Sequence, residues 1–140
     1  MNLLFADTSF FYALAYKKDP HHQEAAKLLH SLKTPLLTSN YIFDELMTIL
    51  RYDFSHKTAV SYGESVRSSK LCSITHISRE DEEAAWEIFI KYSDQNFSFT
   101  DCTSFALMKR LGLKEVACFD NHFDTAGFIR IPPVSLYKKS

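Results

Sequence analysis

The chain is poor in glycine and cysteine and carries no excess of either charge, and each shortage removes a class of function. Only three glycines, Gly63, Gly112 and Gly127, occur in 140 residues. No two stand close enough to build the G-x-G-x-x-G turn of a dinucleotide fold or the G-x-x-x-x-G-K-[ST] loop that cradles nucleotide phosphates, so Rossmann and P-loop chemistry are excluded. Cys72, Cys102 and Cys118 form no C-x-x-C pair, have no histidine pair at zinc-ligand spacing beside them, and are odd in number. They are expected as reduced core thiols of a cytosolic protein. The 16 Lys+Arg against 17 Asp+Glu give a formal charge of -1, so no broad electrostatic footprint for nucleic acid or an anionic membrane is visible. The apolar run over 2–6 is broken at once by Asp7, too short for a signal peptide or a membrane span. A cytoplasmic protein with no membrane association is expected.

What the chain does have is apolar sequence in alternating packets. With 46% hydrophobic and 14% aromatic residues, a single domain over 1–140 buries about 68% of its unfolded surface, enough for a core without metal or disulfide staples. Residues 2–6 lack a helical period and end at Asp7-Thr8-Ser9, which predicts a buried strand feeding a helix over 10–16. Asp19-Pro20 reads as an N-cap followed by proline at the first helical position, and Ala25, Leu28, Leu29 and Leu32 repeat at helical spacing until Pro35. A very short strand at Leu36-Leu37 leads to Thr38-Ser39-Asn40, which caps a helix to about Tyr52. Ser55 starts another through Ala59, Tyr62, Gly63 and Val66. Residues 71–77 predict a strand, and Ser78 caps a helix with acids over 80–83 and a buried face of Ala85, Ile88, Phe89 and Tyr92. A loop over 93–96 precedes a helix from about Thr100 to Leu111, stopped by Gly112. A strand over 115–119, a loop over 120–127, and a last strand over 134–136 after Pro132-Pro133 complete the chain. Strands alternating with helices predict an α/β domain with a mainly parallel sheet.

In such a sheet the ligand crevice lies beyond the carboxyl ends of the strands, where strand order reverses. Asp7 follows the first strand, and Asp120 follows the strand over 115–119 in the same way. Taken singly, Asp7 is equally a helix N-cap and Asp120 a turn former beside Asn121. Glu45 interrupts the apolar stripe of Tyr41, Ile42, Leu46 and Ile49, whereas Asp44 falls with Thr48 and Arg51 on the polar side. Burying an unpaired carboxylate costs several kcal/mol or forces protonation, so Glu45 reaches a cation, the rim of a cleft, or solvent at the stripe's edge. Asp101 heads the inward face of its helix, although Ser98-Phe99-Thr100-Asp101 also fits a capping box. Together, four acids are directed toward one expected crevice. Two unit negative charges 4 Å apart repel by about 1 kcal/mol in water and about 4 kcal/mol at an effective dielectric of 20. No Lys or Arg lies within three residues of any of the four. The implied counter-charge is a hard divalent cation with all-oxygen ligands, Mg²⁺ or Mn²⁺.

These residues resemble the PIN-domain ribonucleases, which include the VapC-type toxins of toxin-antitoxin pairs. The resemblance covers nearly the whole chain: the opening strand into Asp7-Thr8-Ser9, the helical Glu45, the Phe99-Thr100-Asp101-Cys102 helix start, and the segment over 116–123 containing Asp120. His122-Phe123 stands where many relatives have Asp-Phe. The resemblance implies a three-layer α/β/α sandwich with five parallel strands in order 3-2-1-4-5, setting Asp7 beside Asp120. It implies Asp7, Glu45, Asp101 and Asp120 as metal-binding and catalytic acids, with Thr8, Ser9 and Thr100 as hydroxyls beside the metal and Asp124 as an outer ligand. The implied activity is metal-dependent hydrolysis of RNA phosphodiesters; a PIN-like module acting by RNA or protein binding without cleavage is the alternative. The implied partners are RNA, a small antitoxin whose tail blocks the cleft, and a second copy of the chain. Lys17, Lys18, Lys109 and Arg110 are candidate phosphate contacts, and Tyr12, Tyr16 and Phe97 candidate stacking residues. Of the scattered histidines only His122 adjoins a proposed acid.

Overall fold

In the computed structural model, which describes residues 3–133, five strands and seven helices alternate. β1 (Leu4–Ala6) is buried along its length and runs into α1 (Thr8–Ala15), whose N-cap is Asp7. α2 (His22–Ser31) leads to β2 (Leu36–Ser39), and Ser39 caps α3 (Asn40–Asp53). α4 (His56–Ser68), capped by Ser55, precedes β3 (Cys72–Thr75). α5 (Arg79–Lys91) and α6 (Phe99–Leu111) follow, each opened by a capping box, and Gly112 closes α6 in the left-handed region at φ 70°. β4 (Glu115–Ala117), α7 (His122–Thr125) and β5 (Ile129–Ile131) end the described chain.

The sheet has order β3-β2-β1-β4-β5, and every pair is parallel. The expected α/β sandwich with five parallel strands in order 3-2-1-4-5 is the fold observed. Chain order reverses between β1 and β4, where Phe5 pairs with Val116 and Ala6 with Ala117. Right-handed crossovers place the helices before and after this reversal on opposite faces of the sheet. α1 packs against α2 and α3, α3 against α4, and α5 against α6, while α3 also meets α6.

Local departures from the sequence reading have physical causes. α2 starts at His22 because Asp19 and Pro20 form a separate turn, in which Asp19 Oδ1 accepts a hydrogen bond from the His21 amide at 2.8 Å. Phe89 and Tyr92 are exposed, and Ala85 is the buried apolar side chain of α5. The strand expected over 134–136 lies outside the described residues. β5 occupies Ile129–Ile131, and the loop expected over 120–127 contains α7.

Two packing features give tests of the fold. Gly63 lets α4 approach α3: a Cβ there would stand 2.8 Å from Met47 Sδ and 3.5 Å from Phe43 Cζ. Gly63→Ala displaces only a flexible thioether and gains helix propensity, so near-neutral stability is expected. Gly63→Val overfills the contact and is expected to cost about 1–3 kcal/mol in denaturant titrations. Asp81, at the third position of α5, accepts Arg110 Nε at 2.6 Å and Nη2 at 2.9 Å. These guanidinium bonds hold its carboxyl down at about 2. A carboxyl with a lowered folded value adds stability above its unfolded value and loses it as pH falls toward the folded one. Asp81→Asn is therefore expected to lower the thermal midpoint at neutral pH and to lose this deficit between the ordinary 3.8 and about 2.

Candidate active site

The C-terminal ends of β1 and β4 open into a cleft of about 530 Å³ bordered by Asp7, Glu45, Asp101 and Asp120. Each acid arrives by a different local device. Asp7 ends β1 and caps α1, its Oδ2 accepting Ser9 Oγ at 3.0 Å and the Ser9 amide at 3.3 Å. Ser9 Oγ also accepts the Phe119 amide at 2.9 Å, so one hydroxyl ties the Asp7 carboxylate to the segment leaving β4. Glu45 lies one helical turn into α3, half-buried beside buried Ile42 and Leu46, and Thr8 Oγ1 donates to its Oε1. Asp101 closes the α6 capping box through the Ser98 amide, 3.0 Å from its Oδ2, and the same oxygen meets His122 Nδ1 at 2.8 Å. Asp120 Oδ1 accepts the His122 amide at 3.0 Å.

These are single-oxygen grips: the bonds fall on Asp7 Oδ2, Glu45 Oε1 and Asp101 Oδ2. The capping roles of Asp7 and Asp101 and their presence in the cleft are compatible, because a cap engages only part of a carboxylate.

The cleft is electrostatically unfavourable for its own acids. Burial, then the neighbouring charges of Asp120 and Asp101, push the Asp7 carboxyl well above its ordinary value. Burial also raises Glu45, against the Thr8 hydrogen bond, and raises Asp101, against its bonds to Ser98 and His122. Among the described residues, Asp19 adds a fifth carboxylate to the lining, while His21 and His122 are its only nitrogen bases and no Lys or Arg borders it. Oxygen donors crowded without a fixed counter-charge match a hard divalent cation in donor chemistry. Among the described residues no three His, Cys, Asp or Glu side chains already surround a common point.

Other expected residues fall in different places. Thr100 is half-buried at the head of α6, and its carbonyl oxygen accepts a hydrogen bond from Thr103 Oγ1 at 2.6 Å. Asp124 pairs with Arg130 Nη2 at 2.8 Å and does not border the cleft. Arg110 is held by Asp81, and Lys109 is exposed in the last turn of α6. Phe97 is buried against Phe105 and His122, so it is a core ring and not the stacking residue expected. Tyr12 borders the cleft, with Tyr16 and Phe54 packed beside it and Asp53 accepting its hydroxyl at 2.8 Å. His21 borders the cleft too, as do Asp19 and Ser98, which the sequence offers only as caps; their place in the cleft is a three-dimensional signal.

A family profile described as PIN domain matches residues 4–129. The chain is 34% identical over 131 residues to the 23S rRNA-specific endonuclease VapC20 of Mycobacterium tuberculosis, covering 94% of this chain and 99% of that protein. It is 30% identical over 122 residues to a VapC ribonuclease of Archaeoglobus fulgidus, covering 84% of this chain and 76% of that protein. The crystal structure of Mycobacterium tuberculosis VapC20, described as a sarcin-ricin loop cleaving toxin, superposes with a TM-score of 0.85 at 34% identity, covering 90% of this chain and 96% of that one.

Proposed function

The chain belongs to the PIN-domain family, and from that premise we propose that it is a Mg²⁺- or Mn²⁺-dependent endoribonuclease, the toxin of a toxin-antitoxin pair. The observation that carries the reading is the convergence of Asp7, Glu45, Asp101 and Asp120 on one cleft whose described lining holds no Lys or Arg. Asp7, Glu45, Asp101 and Asp120 are the residues that would hold the cation. A divalent ion bound there supplies the charge that makes the cluster tolerable, polarises the phosphate and lowers the pKa of water. Ser9 aims Asp7, Thr8 aims Glu45, and His122 with the Ser98 amide aims Asp101. One of these carboxylates accepts the proton released by the attacking water.

The substrate proposed is the sarcin-ricin loop of 23S rRNA, on the strength of the VapC20 identity across nearly the full chain. Lys17 and Lys18, exposed beside the turn that carries Asp19 and His21, contact its phosphates. Lys109 lies eight residues, or about 12 Å of helical rise, beyond Asp101 and contacts phosphates further along. An antitoxin segment closing the cleft and a homodimeric assembly complete the proposal. Among the described residues no helix is long and apolar enough to cross a membrane; the proposed site of action is the cytoplasm, where ribosomal RNA is found.

The test is cleavage of an RNA hairpin carrying the sarcin-ricin loop. Cleavage is expected with Mg²⁺ or Mn²⁺, is expected to stop in EDTA, and is expected to return when Mn²⁺ is restored. Chelator-resistant cutting rejects the metal mechanism, and RNA binding without cutting under every condition favours a non-catalytic module.

A further inference from the structure

We infer that His21 forms a nucleobase-stacking subsite in the wall of the acidic cleft, where an unpaired base beside the cleavage point extends a column of rings built from the core. The inference rests on the reading of the cleft as the RNA-cleaving centre. At the foot of the column is Phe10, fully buried. Phe119 lies on it with centroids 6.4 Å apart and planes 19° from parallel, and His21 lies on Phe119 at 4.4 Å and 6°. Both Phe119 and His21 border the cleft, and the His21 side chain is 38% exposed. The imidazole is thus backed on one side and open to the cleft.

The turn that carries the platform is fixed through its backbone, where Asp19 Oδ1 accepts the His21 amide at 2.8 Å. Phe119 directly precedes Asp120, while its amide is bound by Ser9, so the ring beneath His21 belongs to the segment that positions the acids. A flat ring next to an oxygen-donor cluster suits a ligand that joins a planar base to a phosphate within one monomer. Stacking accepts any base through its π face, and the phosphate then enters the zone of the carboxylates. An unpaired nucleotide has both parts at the required proximity, whereas a peptide brings a flat ring only at occasional side chains.

The experiment uses the intact chain in two arms. In the first, with EDTA present, a single-stranded RNA containing 2-aminopurine is titrated with protein and its fluorescence is followed, so that no cleavage is required. Wild type and His21→Phe are expected to quench by stacking, and His21→Ala to bind about 5- to 150-fold more weakly, the range for loss of one base-aromatic stack. In the second, with Mn²⁺, cleavage kinetics on the same RNA are expected to show KM raised by a similar factor in His21→Ala, kcat nearly unchanged, and both restored by His21→Phe. His21→Ala indistinguishable from wild type, wild type leaving the fluorescence unchanged in the first arm, or His21→Phe failing as His21→Ala does would each overturn the subsite. So would a His21→Ala protein that binds RNA normally but releases a protein bound over the cleft. Quenching by wild type that depends on His21, without cleavage in Mn²⁺, leaves the subsite standing and sinks the nuclease reading alone.

Discussion

Asp101→Asn is expected to lower RNA cleavage by about 10³-fold while the protein remains folded. Asp101 has two roles that this substitution separates. As the third residue of α6 its Oδ2 accepts the Ser98 amide, and an asparagine amide oxygen accepts that bond equally well. As a cleft carboxylate it supplies negative charge to the proposed cation, and asparagine supplies none. Metal-assisted charge stabilisation is worth several kcal/mol, and each tenfold in rate corresponds to about 1.36 kcal/mol, which sets the expected factor. The control is Ser98→Ala, which removes the reciprocal cap and is expected to cost about 1 kcal/mol of stability with cleavage largely retained. Single-turnover rates and thermal melts on both variants check the pair. An Asp101→Asn protein that cuts at the wild-type rate would reduce Asp101 to a helix cap.

The second large effect is a reversal of stability at Asp7. The residue is 3% exposed, and its carboxyl is raised by burial and then by Asp120 and Asp101. A group whose folded value is raised contributes stability below its unfolded value and loses it as pH climbs through the folded value. Metal-free wild type is therefore expected to weaken from mildly acidic to alkaline pH. Asp7→Asn keeps an N-cap acceptor over α1 but carries no charge. Without metal at pH 8 it is expected to exceed wild type by about 1–3 kcal/mol, and this advantage is expected to shrink as pH falls. With Mn²⁺ at 1,000 times its dissociation constant, wild type gains about 4.1 kcal/mol and the variant little, so the order inverts. Thermal melts across pH with and without Mn²⁺ read both halves. An Asp7→Asn protein less stable than wild type in EDTA at pH 8 would show that the cluster is not under electrostatic stress.

The parts of the fold that were readable from sequence are those with a local cause. Ser39, Ser55, Ser78 and Ser98 announce their helices because a cap is a short-range hydrogen bond, and β1 was visible as an apolar run ended by Asp7. Parallel pairing followed from the alternation of strands with helices, whereas strand order came through the family resemblance. β5 was missed because Ile129–Ile131 is three residues long with Arg130 at its centre, and α7 because four residues carry no period. Asp19-Pro20 imitates a helix start in spacing alone; the Asp19 side chain closes a turn one step too early. All four proposed acids border one cleft, but Asp124 and Arg110 do not join them, since Arg130 and Asp81 are reached only through tertiary packing. His21 carried no signal because its ring partner, Phe119, lies far along the chain.

The Ser9 hydroxyl has a consequence for anyone redesigning this scaffold. It fastens Asp7 to the Phe119 amide, so the alignment of the two innermost strands and the aim of the buried acid are one mechanical coordinate. Lengthening the chain at residues 117–119 would pull that fastener and turn the carboxylate away, whereas new sequence grafted beside the outer strands β3 and β5 leaves the seam undisturbed. Loop insertions and permuted termini belong at those margins.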